Sequence, residues 1–403
     1  MTPDGAVSRA GPLDRRYLSA TFEELCRIES PSGRERACAE RVSSELRSIG
    51  VSVAEDASGE LTGSDCGNLL ARIPARTPAN GGGARDGDPD APRRSVALCA
   101  HLDTVPLQAP VEPVLHEGFW ENENDGILGA DNKAAIVVLL ALARHVCSEG
   151  APVDVELLFT VGEETALAGA RAFEVSSLRS DYGYVFDHAS PVGDVVTASP
   201  THYSLRASFR GAAAHAGIRP ESGRSAILAA ARGVAALRLG RLDEGTTVNV
   251  GRIDGGTAMN VVPELCTVVA EVRALAAERA EVLVAEIVDR LNEAANDPEC
   301  ECDVDVSVER SFVGYEISSG SVALQVAEAA LRARGHEPRR IASGGGSDAN
   351  ALIAGGFQTV NLANGTERNH EPGERVSEAA LEAMLDVALT LLDEAARTRD
   401  AAR

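Results

Sequence analysis

The sequence predicts an α/β protein with a smaller α+β domain inserted into it, and three observations carry that prediction. Its 403 residues exceed what one ordinary core holds, so two domains are the natural expectation. Between residues 95 and 199, short apolar runs alternate with helical ones, the rhythm of a sheet covered by helices. From residue 200 to 311 the rhythm changes, and after 312 it returns.

Taken in order, residues 18–49 read as two helices broken at Pro31-Ser32-Gly33 and stopped by Gly50. Residues 76–95, rich in Gly, Pro and charge, read as a surface loop. Then come a strand (SVALCAHLDT), a long buried helix (DNKAAIVVLLALARHVC), a strand (DVELLFTVGEE), a helix (ALAGARAFEV) and a strand (YGYVFDHAS). The next stretch reads strand, helix, strand, strand, helix, strand. Its segments are THYSLRASFRG, GRSAILAAARGVAAL, TTVNVGRIDGG, LCTVVAEVRAL, AERAEVLVAEIVDRLNEAAN and CDVDVSVERS, a ferredoxin-like split unit. A helix (ALQVAEAALRARG), a strand (QTVNLANG) and a final helix (SEAALEAMLDVALTLLDEAARTR) rejoin the first pattern.

Composition narrows the function. Hydrophobic residues make up 44% of the chain but aromatics only 3%, so its cores rest on Ala, Val and Leu. A formal net charge of -23 argues against nucleic acid and anionic membranes, which both need basic surface. No apolar run is long enough to span a bilayer, and the first residues lack the apolar core of a signal peptide. The eight cysteines are scattered and form no CxxC pair, which suits a reducing, cytoplasmic setting.

Five segments place an acid or an imidazole at a turn: AHLDTVP, LGADNKAA, VGEET, VFDHAS and ERNHEPGE. Each has a bland reading by itself: a histidine at a strand end, a helix cap at Asp131, a solvated pair at Glu163-Glu164, loop residues at Asp187 and His370. Together they are harder to dismiss, because His101, Glu163-Glu164 and Asp187 all end strands of one inferred sheet, where ligands of α/β sheets gather. Two histidines and three carboxylates are the donors that zinc takes, and a carboxylate left over can serve as general base. His101 and Asp103, two apart on an extended chain, point the same way.

These motifs and their order, HLDTVP, GADNKAA, GEE, then GGGSDAN and NH, resemble the dinuclear zinc exopeptidases and deacylases. That family includes peptidase T, acetylornithine deacetylase, succinyl-diaminopimelate desuccinylase and the glutamate carboxypeptidases. The likeness runs from about residue 18 to the last helix. FDHASPVGDVV, AAHAGIRPESGRSAI and GGGSDANALIAGGFQTVNLANG are similar to the peptidase T-like branch. The resemblance implies a catalytic domain with a mixed sheet flanked by helices over residues 1–199 and 312–403, and a lid or dimerisation domain over 200–311. It implies two divalent ions, Zn2+ above all, with Co2+ or Mn2+ acceptable to the same donors. His101 and Asp187 would bind one ion and Glu164 and His370 the other, with Asp131 bridging and its peptide to Asn132 cis. Asp103 would hold the His101 ring. Glu163 would take a proton from a water between the metals and pass it to the leaving amine.

In the lid, His215 matches the family histidine that stabilises the oxyanion, from its own chain or a partner's. Asn260 matches the asparagine near substrate. Arg273 is a candidate for a substrate carboxylate, or a surface arginine beside Glu271. The glycines before Ser347 offer an anion cradle, or merely a turn. His188 is a rival to Asp187, on the opposite face of its strand. One departure bears on specificity. Peptidase T has an arginine just before the glycine-rich turn, where this chain has Ala342 and Ser343. The expectation is therefore an aminopeptidase of short peptides, able to pair as a homodimer through the lid. An N-acyl amino-acid deacylase is the alternative. A non-catalytic peptide- or metal-binding protein is the reading from another class, and no ligand or base is missing to favour it.

Overall fold

The computed structural model describes residues 11–76 and 94–398. The surface loop expected at 76–95 thus lies almost wholly outside the described residues. The chain divides into two compact units, Met1–Thr197 with Glu316–Ala342 and Ser347–Arg403, and Ala198–Tyr315 with Ser343–Gly346. The glycine turn Ser343–Gly346 belongs to the second unit, where the sequence reading had all of 312–403 in the first.

The first unit is built on a nine-stranded mixed sheet. At its centre Asp154–Thr160, Ser95–His101, Tyr182–His188 and Thr359–Ala363 run parallel. Leu69–Ile73 and Asp194–Ser199 flank them antiparallel. A parallel strand covered on both faces needs apolar side chains throughout, and every residue of Ser95–His101 is buried. The helix Ala130–Glu149 is likewise buried all round from Ala130 to Ala143. Its many alanines let it pack closely in a core with few aromatics.

A four-stranded sheet escaped the sequence reading: Thr366–Glu367, Arg375–Ser377, Phe119–Asn122 and Pro113–His116, in that order. The last two form a hairpin whose central residues, Glu117 and Gly118, both have positive φ (50° and 83°). Two positive φ values mark the hairpin turn that matches strand twist, for which a residue followed by Gly is the usual signal. Strands this short have no periodicity to read.

The second unit is a five-stranded antiparallel sheet. Its order is Gly240–Asp243, Thr246–Gly255, Leu265–Ala274, Thr201–Arg210 and Asp303–Phe312. Leaving out the short first strand, this is the ferredoxin-like order. Its helix Ala277–Ala295 buries Ala280, Leu283, Ile287 and Leu291, the three- and four-residue spacing of one helical face. They pack with Leu205, Phe209, Val248, Val268 and Val272 of the sheet. Among the described residues no helix is long and apolar enough to cross a membrane.

Candidate metal centre

The carboxyl ends of the parallel strands deliver the site. His101 ends its strand, Glu163 and Glu164 follow Asp154–Thr160, and Asp187 is the penultimate residue of Tyr182–His188. Asp131 lies in the first turn of Ala130–Glu149, with its peptide to Asn132 cis. His370 comes from the loop joining Thr366–Glu367 to Arg375–Ser377, and takes a φ of 68°.

These residues form two donor sets that share Asp131. His101, Asp131 and Asp187 present ligand atoms within 4.8 Å of one another, and so do Asp131, Glu164 and His370. Asp131 Oδ1 lies 3.3 Å from His101 Nε2, and its Oδ2 lies 3.2 Å from His370 Nε2. His101 Nε2 is also 3.6 Å from Asp187 Oδ1, and His370 Nε2 is 2.8 Å from Glu164 Oε1. One carboxylate thus turns one oxygen to each set. Glu163 and Glu164 form a further group with His101.

The supports are as informative as the donors. The His101 Nδ1 proton reaches the main-chain carbonyl of Asp103 at 3.0 Å, with Asp103 Oδ1 at 3.3 Å. The Asp103 carboxylate has a larger task. Its Oδ1 accepts the N–H of Glu163 (2.9 Å), and its Oδ2 accepts the N–H of Glu164 (3.1 Å) and the Ser32 hydroxyl (2.6 Å). Asp103 therefore holds the backbone under both glutamates as well as the imidazole. Asn361 exchanges two hydrogen bonds with the main chain of Asp187, each 3.0 Å, and the Asn132 amide donates to Asp187 Oδ1 at 3.2 Å. The Glu35 carboxylate accepts the N–H of Gly162 at 3.0 Å. Asn361 and Glu35 drew no role from the sequence, because the partners of a buried polar side chain leave no local pattern. His188 turns away to Ser190 Oγ at 2.9 Å and joins no donor set.

The electrostatics suit a cation. Burial, and then the charge of Asp131, push Asp187 up to about 7. Burial and the carboxylates of Asp187, Asp348 and Glu164 push Glu163 well above the usual carboxylate range. Hydrogen bonds to Asp131 and Glu164 lift His370 to about 10. Burial pulls the other way at His101, but its contacts with Asp103, Asp131 and Asp187 outweigh it and raise that imidazole too. Mutually repelling carboxylates, confined with two imidazoles, gain most from positive charge placed among them. The imidazole and carboxylate donors are those that zinc-like ions take.

The expected substrate contacts fare differently. His215 and Asn260 are neighbours in the second unit: His215 bridges to Val261, and the Ala216 N–H donates to the Asn260 carbonyl at 2.9 Å. Arg273 is engaged by Glu271 (3.1 and 3.3 Å) and donates to the Gly344 carbonyl at 3.3 Å. Its guanidinium is tied into this network, which favours the bland reading. Ser347 itself turns inward at the end of the glycine-rich turn. It is 1% exposed, its N–H donates to Asn350 Oδ1 and its hydroxyl accepts from Asn361, so it caps the helix Asp348–Ala354. Of the glycines before it, Gly344 is exposed and Gly345 and Gly346 are half-buried; the serine after them starts a helix.

Comparison with known proteins points the same way. Residues 85–200 match the model of peptidase family M28, and residues 198–299 match that of the peptidase dimerisation domain. An uncharacterized protein of Bacillus subtilis, YqjE, is 32% identical over 386 residues, covering 96% of this chain and 100% of its own. The aminopeptidase PepT of Bacillus cereus has a similar structure, with TM-score 0.81 and 33% identity, covering 95% of this chain and 99% of its own. A tripeptidase of Staphylococcus aureus superposes with TM-score 0.86 at 29% identity, over the same shares of both chains.

Proposed function

Since this chain belongs to the peptidase T-like branch of the dinuclear metallopeptidases and is a metal-dependent peptidase, we propose that it removes the N-terminal residue from short peptides at the Asp131-centred site. The observation that carries this reading is the division of Asp131, one oxygen toward His101 and Asp187 and the other toward His370 and Glu164. In this reading the two sets hold two divalent ions, Zn2+ in preference to Co2+ or Mn2+.

Such ions, when bound, supply Lewis acidity toward the scissile carbonyl and bring the pKa of a coordinated water down to about 7. The chain's residues do the rest. Glu163, on a backbone pinned by Asp103, takes a proton from the attacking water and returns it to the departing amine. His101 stays oriented by its Nδ1 bond to the Asp103 carbonyl. By the family resemblance, His215 is the proposed stabiliser of the oxygen that gains charge as the carbonyl is attacked, and Asn260 the proposed peptide contact, from the same chain or from a partner.

A second reading, N-acyl amino-acid deacylase, is favoured by one feature. Ala342 and Ser343 stand where peptidase T has its arginine, and Arg273 is held by Glu271. A panel of tripeptides against N-acetyl and N-succinyl amino acids decides between the two. Hydrolysis of the tripeptides is expected; cleavage of the acyl amino acids alone overturns the peptidase reading.

Eight unpaired thiols suit a reducing cytoplasm. The second unit is the proposed surface of self-association. It matches a dimerisation domain and leaves Ile218 70% exposed and Met259 fully exposed. Sedimentation of the purified chain should give a mass near twice 42.0 kDa. A monomer at all concentrations sinks the dimer.

A further inference from the structure

Glu374 is a carboxylate for which the proton transfer has no use, yet it is buried to 1% exposure. It stands four residues after His370, in the same loop. Its Oε2 accepts the N–H groups of Leu128 (2.8 Å) and Gly129 (2.7 Å), and its Oε1 accepts the N–H of Asp131 (2.8 Å). These donors lie at the start of the helix Ala130–Glu149, where main-chain N–H groups have no partner within the helix. The turn they form is tight. Gly129 takes φ +77°, and a Cβ there would come within 3.3 Å of Thr104 Cγ2.

The same loop reaches the Asp131 side chain. The Asn369 amide donates to Asp131 Oδ2 at 2.8 Å, and His370 Nε2 lies 3.2 Å from that oxygen. One loop therefore grips Asp131 from both the main chain and the side chain. Three N–H donors converge on two carboxylate oxygens, an arrangement a neutral amide cannot reproduce, because its NH2 would face one of the donors.

We infer that Glu374 is a positioning residue of the metal centre, fixing the backbone that carries Asp131 so that its two oxygens face the two donor sets. This rests on the reading of Asp131 as the shared ligand. Glu374 does not touch the reacting atoms; it acts through Asp131. The plainer role is a helix cap, which would support stability and leave metal binding alone.

Cobalt binding separates the two roles. The whole chain is stripped of metal, then titrated with Co2+ and followed by calorimetry and visible absorption. The E374Q variant should bind cobalt roughly 10–100-fold more weakly, the range for partners that orient a metal ligand. Its cobalt absorption band should change shape, and E374D, which keeps the charge, should recover part of the affinity. If E374Q melts at lower temperature without metal but binds cobalt with wild-type affinity and spectrum, Glu374 is a cap and the inference is overturned. Should E374Q not fold, E374D against wild type carries the same two outcomes. A wild-type chain that takes up no cobalt overturns the metal-centre reading first, and this inference with it.

Discussion

Replacing Glu163 with Gln should lower peptide turnover by about 10²–10⁴-fold, the span attributable to a positioned general base, while metal content stays at the wild-type level. In the proposed reading that base stands on a held backbone. Its N–H is held by Asp103 Oδ1 and its carbonyl accepts the Leu167 N–H at 2.8 Å, so the side chain leaves from a pinned backbone. It is 9% exposed, and burial with the nearby carboxylates raises its proton affinity. An amide of the same shape cannot take up the proton. The two sets that share Asp131 do not include Glu163, so the exchange should leave their donors intact. Metal analysis and steady-state kinetics on one preparation read both quantities. Wild-type turnover in E163Q would remove Glu163 as the base, and a fall in bound metal would make it a ligand.

Asp103 should give the second largest effect, and two substitutions divide its labour. Asp103→Ala removes the acceptor of one buried and one half-buried N–H group and of the Ser32 hydroxyl. Each buried donor left without a partner costs about 1–3 kcal/mol. Against a total stability of about 5–15 kcal/mol, the protein stays folded but is weakened. With the Glu163-Glu164 backbone loosened, base and ligand shift together. Metal affinity should fall by about 10–100-fold, and kcat should fall even when metal is saturating. Asp103→Asn keeps one oxygen, which can still accept from Glu163, and should lie between Ala and wild type. A cobalt titration beside kcat and KM for the three proteins provides the test. A residue that merely decorates a strand end would leave every one of these values at the wild-type level.

Parts of the molecule were open to reading from the sequence because their signals are local. The alternation along residues 95–188 yields a mixed sheet, and the change of pattern near residue 200 marks where the second unit begins. Short elements were lost for the same reason. Pro113–His116 and Phe119–Asn122 are four residues each, too brief for a period, although Glu117-Gly118 was a fair sign of the turn. A glycine-rich turn before a serine reads alike whether the serine faces outward or, as Ser347 does, starts a helix from a buried position. For Arg273 the sequence leaves a free and a paired guanidinium equally open, and the fold sets Glu271 against it.

The sequence by itself determined the chemistry on offer: imidazoles and carboxylates at the ends of successive strands, in an order shared with metallopeptidases, with the sheet interrupted by a lid. Those are properties of residue type, order and short-range period. Tertiary structure alone decided how the groups divide. It sent one oxygen of Asp131 to each histidine, gave the Asp103 carboxylate to the backbone of two glutamates, and brought Glu374 across 243 positions to the N–H of Asp131. Such contacts join segments distant in the chain and leave no local pattern, because a carboxylate's partners are set by the folds of backbone that meet around it.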